Sequence, residues 1–218
     1  MNRLRALWYA GCRQVAGVLF VIVFGIRVYH RERLPKSGGV LVVANHQSYL
    51  DPILAAVGMP RPCHPMARDT LFRVGPFRWL IRSLYAFPVR RGRADFRAIR
   101  EALRRLQAGE IVLMFPEGTR TRDGSIAPLQ GGTVTVALRA RVPIMPLVID
   151  GAFESWPRTH LLPRPGAIRV ACGTPVSPAE AAACGPDAVM AQLTDQMLGL
   201  QAELRRLRSC RQTFSRGR

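Results

Sequence analysis

The sequence has almost no lysine and few acidic residues. Lys36 is the only lysine, so arginine supplies all but one of the 32 basic side chains, against 14 acidic ones. The formal charge of +18 and an isoelectric point near 11.5 favour anionic partners, namely nucleic acid, anionic lipid or phosphorylated small molecules. Arginine-rich codon usage explains the composition equally well, but guanidinium groups bind phosphate and carboxylate oxygens in either case.

Cysteine and histidine are also scarce, and neither shows a metal-binding spacing. The five cysteines include no Cys-x-x-Cys pair, and the four histidines are scattered along the chain. These features argue against a zinc site. A hydrophobic content of 48% argues against both a disulfide-stapled fold and a disordered chain. We therefore expect a globular domain with reduced thiols and no bound metal.

No acidic residue occurs before position 32, and the longest apolar run is short. Between Arg13 and Arg27 lie 13 uncharged residues, QVAGVLFVIVFGI. As a helix they would measure about 20 Å, less than the roughly 30 Å hydrocarbon core of a bilayer. Trp8 and Tyr9 upstream are typical interfacial anchors, and no signal-peptide cleavage pattern follows. The pattern favours residues 1–33 as a helical segment in one leaflet, with a buried core helix as the alternative.

Strands and helices alternate along the remainder of the chain. Apolar runs predict four buried strands, 40–44, 111–115, 144–149 and 167–172, and a short extended piece, AFPV, at 86–89. Capping residues and amphipathic periodicity predict four helices: 51–57, 95–108, 133–140 and 187–207. In the second helix, the apolar face is expected to comprise Phe96, Ile99, Leu103 and Leu106. This alternation predicts a layered α/β domain over 34–208, with 209–218 as a basic mobile tail.

His46 and Asp51 form the first candidate site. His46 follows the strand 40–44, and Asp51 stands five residues later at a helix start. At this spacing the carboxylate can hydrogen-bond the imidazole, fix its tautomer and leave the other ring nitrogen free to take a proton. No Gly-x-Ser-x-Gly motif or cysteine lies nearby, so His46 would activate a substrate hydroxyl. Alternatively, Asp51 only caps the helix and His46 is an ordinary loop residue.

Two arginine-containing segments are candidate phosphate sites. The segment 115–122, FPEGTRTR, leaves a predicted strand, turns at Gly118 and presents Arg120 and Arg122. The segment 90–93, RRGR, follows another short strand. A solvated turn is the alternative interpretation for either segment taken alone.

Four segments together resemble the motif blocks of the glycerolipid acyltransferase family, and in particular its PlsC-type 1-acyl-sn-glycerol-3-phosphate acyltransferases. The resemblance spans about residues 28 to 175. In order and spacing, the matching segments are NHQSYLDP (45–52), FPVRRG (87–92), FPEGTRTR (115–122) and VPIMPL (142–147). It implies a mixed α/β sheet flanked by helices, with an N-terminal membrane-associated segment.

The resemblance also implies roles for individual residues. His46 would be the general base and Asp51 its orienting partner. Acceptor binding is implied for the second-block arginine, Arg91, and for four residues of the third block: Glu117, Gly118, Thr119 and Arg120. The fourth block, around Pro143 and Pro146, would serve the acyl-donor side or simply pack in the core.

The implied reaction moves an acyl group from acyl-CoA or acyl carrier protein to lysophosphatidic acid, giving phosphatidic acid. No cofactor or metal is expected beyond that co-substrate, and the implied location is the cytoplasmic face of the cell membrane, on anionic lipid. Members commonly carry Phe-Lys after the third block where this chain has Leu129-Gln130, which leaves another lysolipid acceptor open. A non-catalytic basic module remains a further alternative, although no aromatic-interleaved motif indicates nucleic-acid binding.

Overall fold

Seven strands form one mixed sheet in the computed structural model, which describes residues 3–90 and 95–215. In chain order they are β1 (Arg27–Tyr29), β2 (Val40–Ala44), β3 (Cys63–Arg68), β4 (Phe87–Val89), β5 (Ile111–Met114), β6 (Ile144–Asp150) and β7 (Arg169–Cys172). Their order across the sheet is β1-β7-β6-β2-β5-β3-β4. All neighbouring pairs are parallel except β6 and β7. The predicted layered α/β architecture with a mixed sheet is confirmed.

Helices cover both faces of the sheet. They are α1 (Arg3–Phe24), α2 (Asp51–Gly58), α3 (Gly75–Ser83), α4 (Phe96–Gln107), α5 (Gly132–Ala140), α6 (Ala152–Ser155), α7 (Pro178–Cys184) and α8 (Pro186–Ser215). One apolar core joins the sheet to α1 and α2, and a second joins it to α4, α5, α7 and α8. The sheet is therefore buried on both sides, as a largely parallel sheet requires.

Capping chemistry sets the ends of α4. The carboxylate of Asp95 accepts hydrogen bonds from the backbone N–H groups of Arg97 and Ala98, and Gly109 follows the helix with a φ of +81°. The prediction that Phe96 lies on the buried face is wrong, because its side chain is 73% exposed. The fully buried stripe consists of the small residues Ala98 and Ala102 with Leu106, which lets the helix approach the sheet closely.

Two predicted boundaries differ from the fold. The domain was expected to begin at residue 34, but β1 lies in the sheet at residues 27–29 and pairs with β7. The predicted basic tail comprises residues 209–218, and α8 continues through its first part to Ser215. The mobility of this tail stays a prediction. At both ends a strongly basic sequence indicated a separate segment. At the N-terminal end the pairing of β1 with β7 extends the sheet, and at the C-terminal end α8 extends past residue 209.

Helix α1 is longer than the predicted apolar segment, and in the described chain it is the one helix long and apolar enough to cross a bilayer. It nevertheless contacts the domain at every third or fourth residue. The Arg5 guanidinium donates to carbonyls at the end of α3, the Tyr9 hydroxyl accepts from the N–H of Cys63, and Arg13 donates to the carbonyl of Met59. Further along, Gly17 lies against Val57, and Phe20 and Phe24 enter the core. One face of α1 is thus bound to the domain along its length.

Candidate active site

Two loops meet at the carboxyl edge of the sheet because β2 and β5 are parallel neighbours. The first loop begins with Asn45 and His46, directly after β2, and the second with Phe115 and Pro116, directly after β5. Asn45 is fully buried and its amide exchanges two hydrogen bonds with the backbone of Ile149, at 2.8 and 2.9 Å. This side chain continues the strand pairing of β2 with β6 and fixes the point from which His46 departs.

His46 and Asp51 are in direct contact. The Nδ1 atom of His46 lies 2.7 Å from Oδ2 of Asp51. The same carboxylate oxygen accepts the backbone N–H groups of Gln47 and Ser48, at 2.6 and 2.7 Å. Asp51 is the first residue of α2 rather than its cap, so its side chain turns back over the loop instead of capping its own helix. The predicted pairing of these two side chains is therefore present in the structure.

Asp51 is completely buried, which makes its charge sensitive to its partners. Burial raises the pKa of its carboxyl group above the ordinary value, while the hydrogen bonds from His46, Ser48 and Gln47 oppose that rise. Its Oδ1 atom has no hydrogen-bond partner within the described residues. The contact with His46 thus supplies the only side-chain donor to this carboxylate among the described residues.

The His46 ring is held flat against an aromatic neighbour. It stacks on Phe115, with ring centroids 4.3 Å apart and an interplanar angle of 24°. The residue is 8% exposed, and Nε2 has no hydrogen-bond partner among residues 3–90 and 95–215. With Nδ1 bonded to Asp51, Nε2 is the nitrogen available to accept a proton from a bound hydroxyl.

Glu117 joins the two loops rather than facing outward. Its Oε1 atom accepts the backbone N–H of His46 at 2.9 Å, and Oε2 accepts that of Ala127 at 3.3 Å. Burial, with a smaller contribution from the charge of Asp51, raises the pKa of Glu117 to about 7. A second contact joins the loops, because the N–H of Thr121 donates to the carbonyl of His46 at 2.8 Å. In this arrangement Glu117 positions His46, and acceptor binding by its carboxylate stays a prediction.

The turn after Glu117 needs glycine and presents Thr119 to solvent. Gly118 has a φ of +69°, which side chains rarely adopt, and a Cβ atom there would lie 2.8 Å from Nε2 of Gln130. Gln130 also donates its backbone N–H to the carbonyl of Pro116. Gln130, at the position where the family resemblance implies a lysine, therefore packs against the turn at Gly118.

Arg120 has a guanidinium nitrogen that is buried and unpaired within the described chain. Its Cζ atom lies 3.5 Å from the centroid of the Tyr49 ring, a cation–π contact. Tyr49 in turn contacts Trp156, with ring centroids 5.3 Å apart. Sequence reasoning missed Tyr49 because its only signal was its place inside the NHQSYLDP segment. The arrangement leaves Arg120 able to donate to an anion in a partly buried position.

The other predicted residues are placed differently. Arg91, the second-block arginine, lies outside the described residues. Pro146 of the fourth block is buried within β6, between β7 and β2 in the sheet, which agrees with a packing role. No group of three or more histidine, cysteine or acidic side chains that could hold a metal occurs in the described ranges.

One carbonyl oxygen behind the site gathers three side-chain donors. The carbonyl of Gly124 accepts Nε2 of Gln47 at 3.0 Å, Nε2 of Gln201 at 2.9 Å and Nη2 of Arg205 at 3.0 Å. Gln47 belongs to the loop of His46, whereas Gln201 and Arg205 belong to α8. No local sequence pattern indicates this convergence, which ties the long C-terminal helix to both loops of the site.

Comparison with known proteins identifies the family of this chain. A family model described as "Acyltransferase" matches residues 25–150, which contain every residue of the site described above except Trp156, Gln201 and Arg205. The chain therefore belongs to the acyltransferase family.

Its relatives are of the PlsC type. The chain is 33% identical over 147 residues to the 1-acyl-sn-glycerol-3-phosphate acyltransferase of Bacillus subtilis, covering 66% of this chain and 71% of that protein. It is 34% identical over 134 residues to the human alpha enzyme of the same name, covering 59% of this chain and 47% of the human one. The crystal structure of the acyltransferase PlsC from Thermotoga maritima matches 94% of this chain and 84% of its own, with a TM-score of 0.79 and 25% identity.

Proposed function

We propose that this acyltransferase moves a fatty acyl group from an acyl thioester to the sn-2 hydroxyl of lysophosphatidic acid, giving phosphatidic acid. The observation that carries the proposal is the imidazole of His46, bonded through Nδ1 to buried Asp51 and open at Nε2. The relatives in Bacillus and human, both called 1-acyl-sn-glycerol-3-phosphate acyltransferase, support the choice of acceptor. The thioester, acyl-CoA or acyl carrier protein, is a co-substrate, and no other cofactor is proposed.

The reaction follows from the available nitrogen. Nε2 of His46 takes the proton of the acceptor hydroxyl while the hydroxyl oxygen forms a bond to the carbonyl carbon of the thioester. The tetrahedral intermediate collapses by breaking the carbon–sulfur bond, and the imidazolium returns the proton to the leaving thiolate. Asp51 stabilises the imidazolium during both proton transfers through the 2.7 Å contact. No enzyme-bound acyl group is needed.

The acceptor phosphate is assigned to Arg120, with Arg91 as a second ligand. An anchored phosphate places the neighbouring hydroxyl near His46 and removes its translational freedom. Arg120 is suited to this because one of its buried nitrogens has no partner in the described chain and because Tyr49 restricts its guanidinium group. Thr119 lies exposed beside it. Glu117 and Gly118 hold the turn from which these side chains project.

The enzyme is proposed to lie on the cytoplasmic face of the membrane without crossing it. Helix α1 has an outward apolar face, and its inner face is bound to the domain at Arg5, Tyr9 and Arg13. Crossing the bilayer would require these contacts to break and leave buried polar groups unpaired. A helix lying in one leaflet keeps them and still buries the outward side chains in lipid.

The decisive test is acyl transfer by the His46→Ala variant beside the wild-type enzyme, with radiolabelled lysophosphatidic acid and either donor. Loss of a general base is expected to reduce turnover by about 100- to 10,000-fold. His160→Ala, which removes an exposed histidine whose ring contacts Thr159, serves as the matched control. Equal turnover of His46→Ala and wild type would refute the mechanism. Comparing acyl-CoA with acyl carrier protein identifies the donor.

A second candidate is the same chemistry on a lysolipid with a larger head group. Gln130 occupies the position where relatives commonly carry lysine, and it packs against Gly118. An amide holds a phosphomonoester less strongly than an ammonium group does. A panel of lysolipid acceptors separates the two candidates. Strict preference for the bare phosphomonoester would exclude the second, and a Gln130→Lys variant should increase that preference.

A further inference from the structure

Helix α3 exposes its apolar side chains. None of its nine residues is buried. Its sequence, GPFRWLIRS, combines apolar residues with two arginines spaced four residues apart. Five large apolar side chains are exposed on the short helix 69–72, on α3 and on the two residues between them: Leu71, Val74, Phe77, Trp79 and Leu80. Trp79 is 64% exposed and Val74 is 61% exposed. Contiguous apolar surface of this kind marks a site of contact with a partner or a lipid surface.

This surface is continuous with the outer face of α1. Trp8 donates its indole N–H to the hydroxyl of Ser83, and its ring lies 5.9 Å from that of Trp79. Arg5 donates to the carbonyls of Arg82 and Ser83, at the end of α3. Nine further exposed apolar residues occur on α1: Leu4, Leu7, Trp8, Val15, Val18, Leu19, Val21, Ile22 and Val23. We call the two sets together the α1–α3 surface.

The charges around the α1–α3 surface are predominantly positive. Arg73, Arg78 and Arg82 stand on or beside α3 and are exposed. The one acidic residue of the segment, Asp69, lies 3.7 Å from Arg73. A helix with an apolar face, tryptophan and flanking arginines is suited to the interface of an anionic bilayer, where the arginines meet lipid phosphates.

The α1–α3 surface also reaches the edge of the sheet that carries the site. The short helix 69–72 follows the carboxyl end of β3, and β3 runs parallel to β5, from whose end Glu117 and Arg120 project. Helix α1 ends beside β1, whose first residue Arg27 pairs in register with Arg169, opposite the end of β6. Both segments of the surface therefore begin or end at the edge where His46 lies.

We propose that α3 is a second membrane-docking element, and that the α1–α3 surface binds an anionic phospholipid bilayer with Phe77 and Trp79 inserted among the lipids. The inference rests on the membrane placement of α1 under the proposed function, but not on the acyl-transfer chemistry. Docking at two points fixes the rotation of the domain about α1. It thereby presents one edge of the sheet, rather than any face, to lipids in the same leaflet.

The test measures binding of the full-length protein to vesicles of phosphatidylcholine with increasing phosphatidylglycerol. A Phe77→Ser, Trp79→Ser double variant is compared with a matched control on other surfaces, Phe96→Ser with Leu161→Ser, whose side chains are 73% and 89% exposed. Loss of two inserted side chains is expected to weaken binding about tenfold or more, and the control should stay within about twofold. Equal binding by the test variant and the control would overturn the proposal.

The arginines are tested separately. An Arg73→Gln, Arg78→Gln variant should lose most of the dependence of binding on phosphatidylglycerol, whereas Arg97→Gln with Arg100→Gln on α4 should keep it. An unchanged dependence in the first pair would contradict the assigned charge contact. The His46→Ala variant should bind vesicles like wild type. Binding and acyl transfer are thus separate readouts, so either proposal can fail without the other.

A spectroscopic measurement locates α3 directly. Replacing Trp8 and Trp156 by phenylalanine leaves Trp79 as the only tryptophan. Its emission should shift to shorter wavelength on anionic vesicles and be quenched by lipids brominated near the head of the acyl chain. Quenching by aqueous iodide but not by brominated lipid would refute insertion. A lipid-independent dimer that protects Trp79 would instead assign the surface to a second copy of the chain.

Discussion

Replacement of Asp51 by asparagine separates the catalytic charge from the local structure. Asparagine has nearly the same shape, and its side-chain oxygen can still accept the backbone N–H groups of Gln47 and Ser48, which now bond Oδ2. The change removes the negative charge that lies 2.7 Å from Nδ1 of His46. We therefore expect a folded enzyme with a much weaker base.

The size of the effect can be worked from that distance. Two unit charges 2.7 Å apart attract by about 6 kcal/mol at an effective dielectric constant of about 20. The amide dipole and the retained hydrogen bonds replace part of this stabilisation of the imidazolium. A remaining loss of about 3–4 kcal/mol in the transition state lowers kcat about 10²- to 10³-fold.

Stability should respond differently. Burial raises the pKa of Asp51, which means that the folded state disfavours its charge. Asp51→Asn removes that penalty, so the free energy of unfolding should change by about 1 kcal/mol or less. Asp51→Ala instead leaves the N–H groups of Gln47 and Ser48 without their acceptor, at a cost of about 1–3 kcal/mol each.

The assay combines steady-state acyl transfer, thermal unfolding and a double variant. Because His46 and Asp51 act as a unit, His46→Ala with Asp51→Asn should be no slower than His46→Ala alone. Activity of Asp51→Asn within tenfold of wild type would refute the role of the charge. So would multiplicative effects in the double variant, since they would mean that the two residues act independently.

Three further predictions concern the surroundings of the dyad. Tyr49→Leu should raise KM for the acceptor about 3- to 30-fold with kcat nearly unchanged, because it removes the ring that faces Arg120. Tyr49→Phe keeps the ring and should keep the wild-type KM. Equal KM values in the two variants would contradict this. Glu117 has its pKa raised to about 7, so its stabilising contribution is present below pH 4.5 and is lost as pH rises towards 7. In denaturant titrations from pH 5 to 8, wild type should therefore lose up to about 3 kcal/mol relative to Glu117→Gln, and parallel curves would exclude the shift. Asn45→Ala leaves two backbone groups of β6 unpaired and should lower the free energy of unfolding by about 2–5 kcal/mol; an unchanged melting temperature would contradict it.

The elements predicted correctly from sequence are those whose signals are local. Strands β2, β5 and β6 are continuous apolar runs, and Asp95 and Gly109 bound α4 through capping geometry that operates within one helical turn. Strand β3 and helix α3 were not predicted. The sequence of β3, CHPMAR, has no apolar run, and it is a strand because it lies between β5 and β4. Helix α3 has no apolar stripe buried by the domain, so its pattern did not indicate a core helix.

The contacts of the candidate site also fall into local ones, which the sequence predicts, and long-range ones, which it does not. The contact between His46 and Asp51 follows from a five-residue spacing within one loop and the first turn of a helix, so sequence alone could predict it. The direction of Glu117 could not be predicted, because its partner is the backbone of a residue 71 positions earlier. That contact exists only because β5 pairs beside β2. Arg120 likewise owes its position to Tyr49 on the neighbouring loop.

Local sequence features suffice to specify an imidazole paired with a carboxylate, a glycine at the third-block turn, and arginines directly after that turn. Those features depend on bonds and spacings within a few residues, which backbone geometry restricts to few conformations. Strand order and packing set which loops meet, that Glu117 accepts the N–H of His46, and that α3 exposes its apolar side chains. These outcomes depend on strand order and on packing between distant segments, which no local pattern encodes.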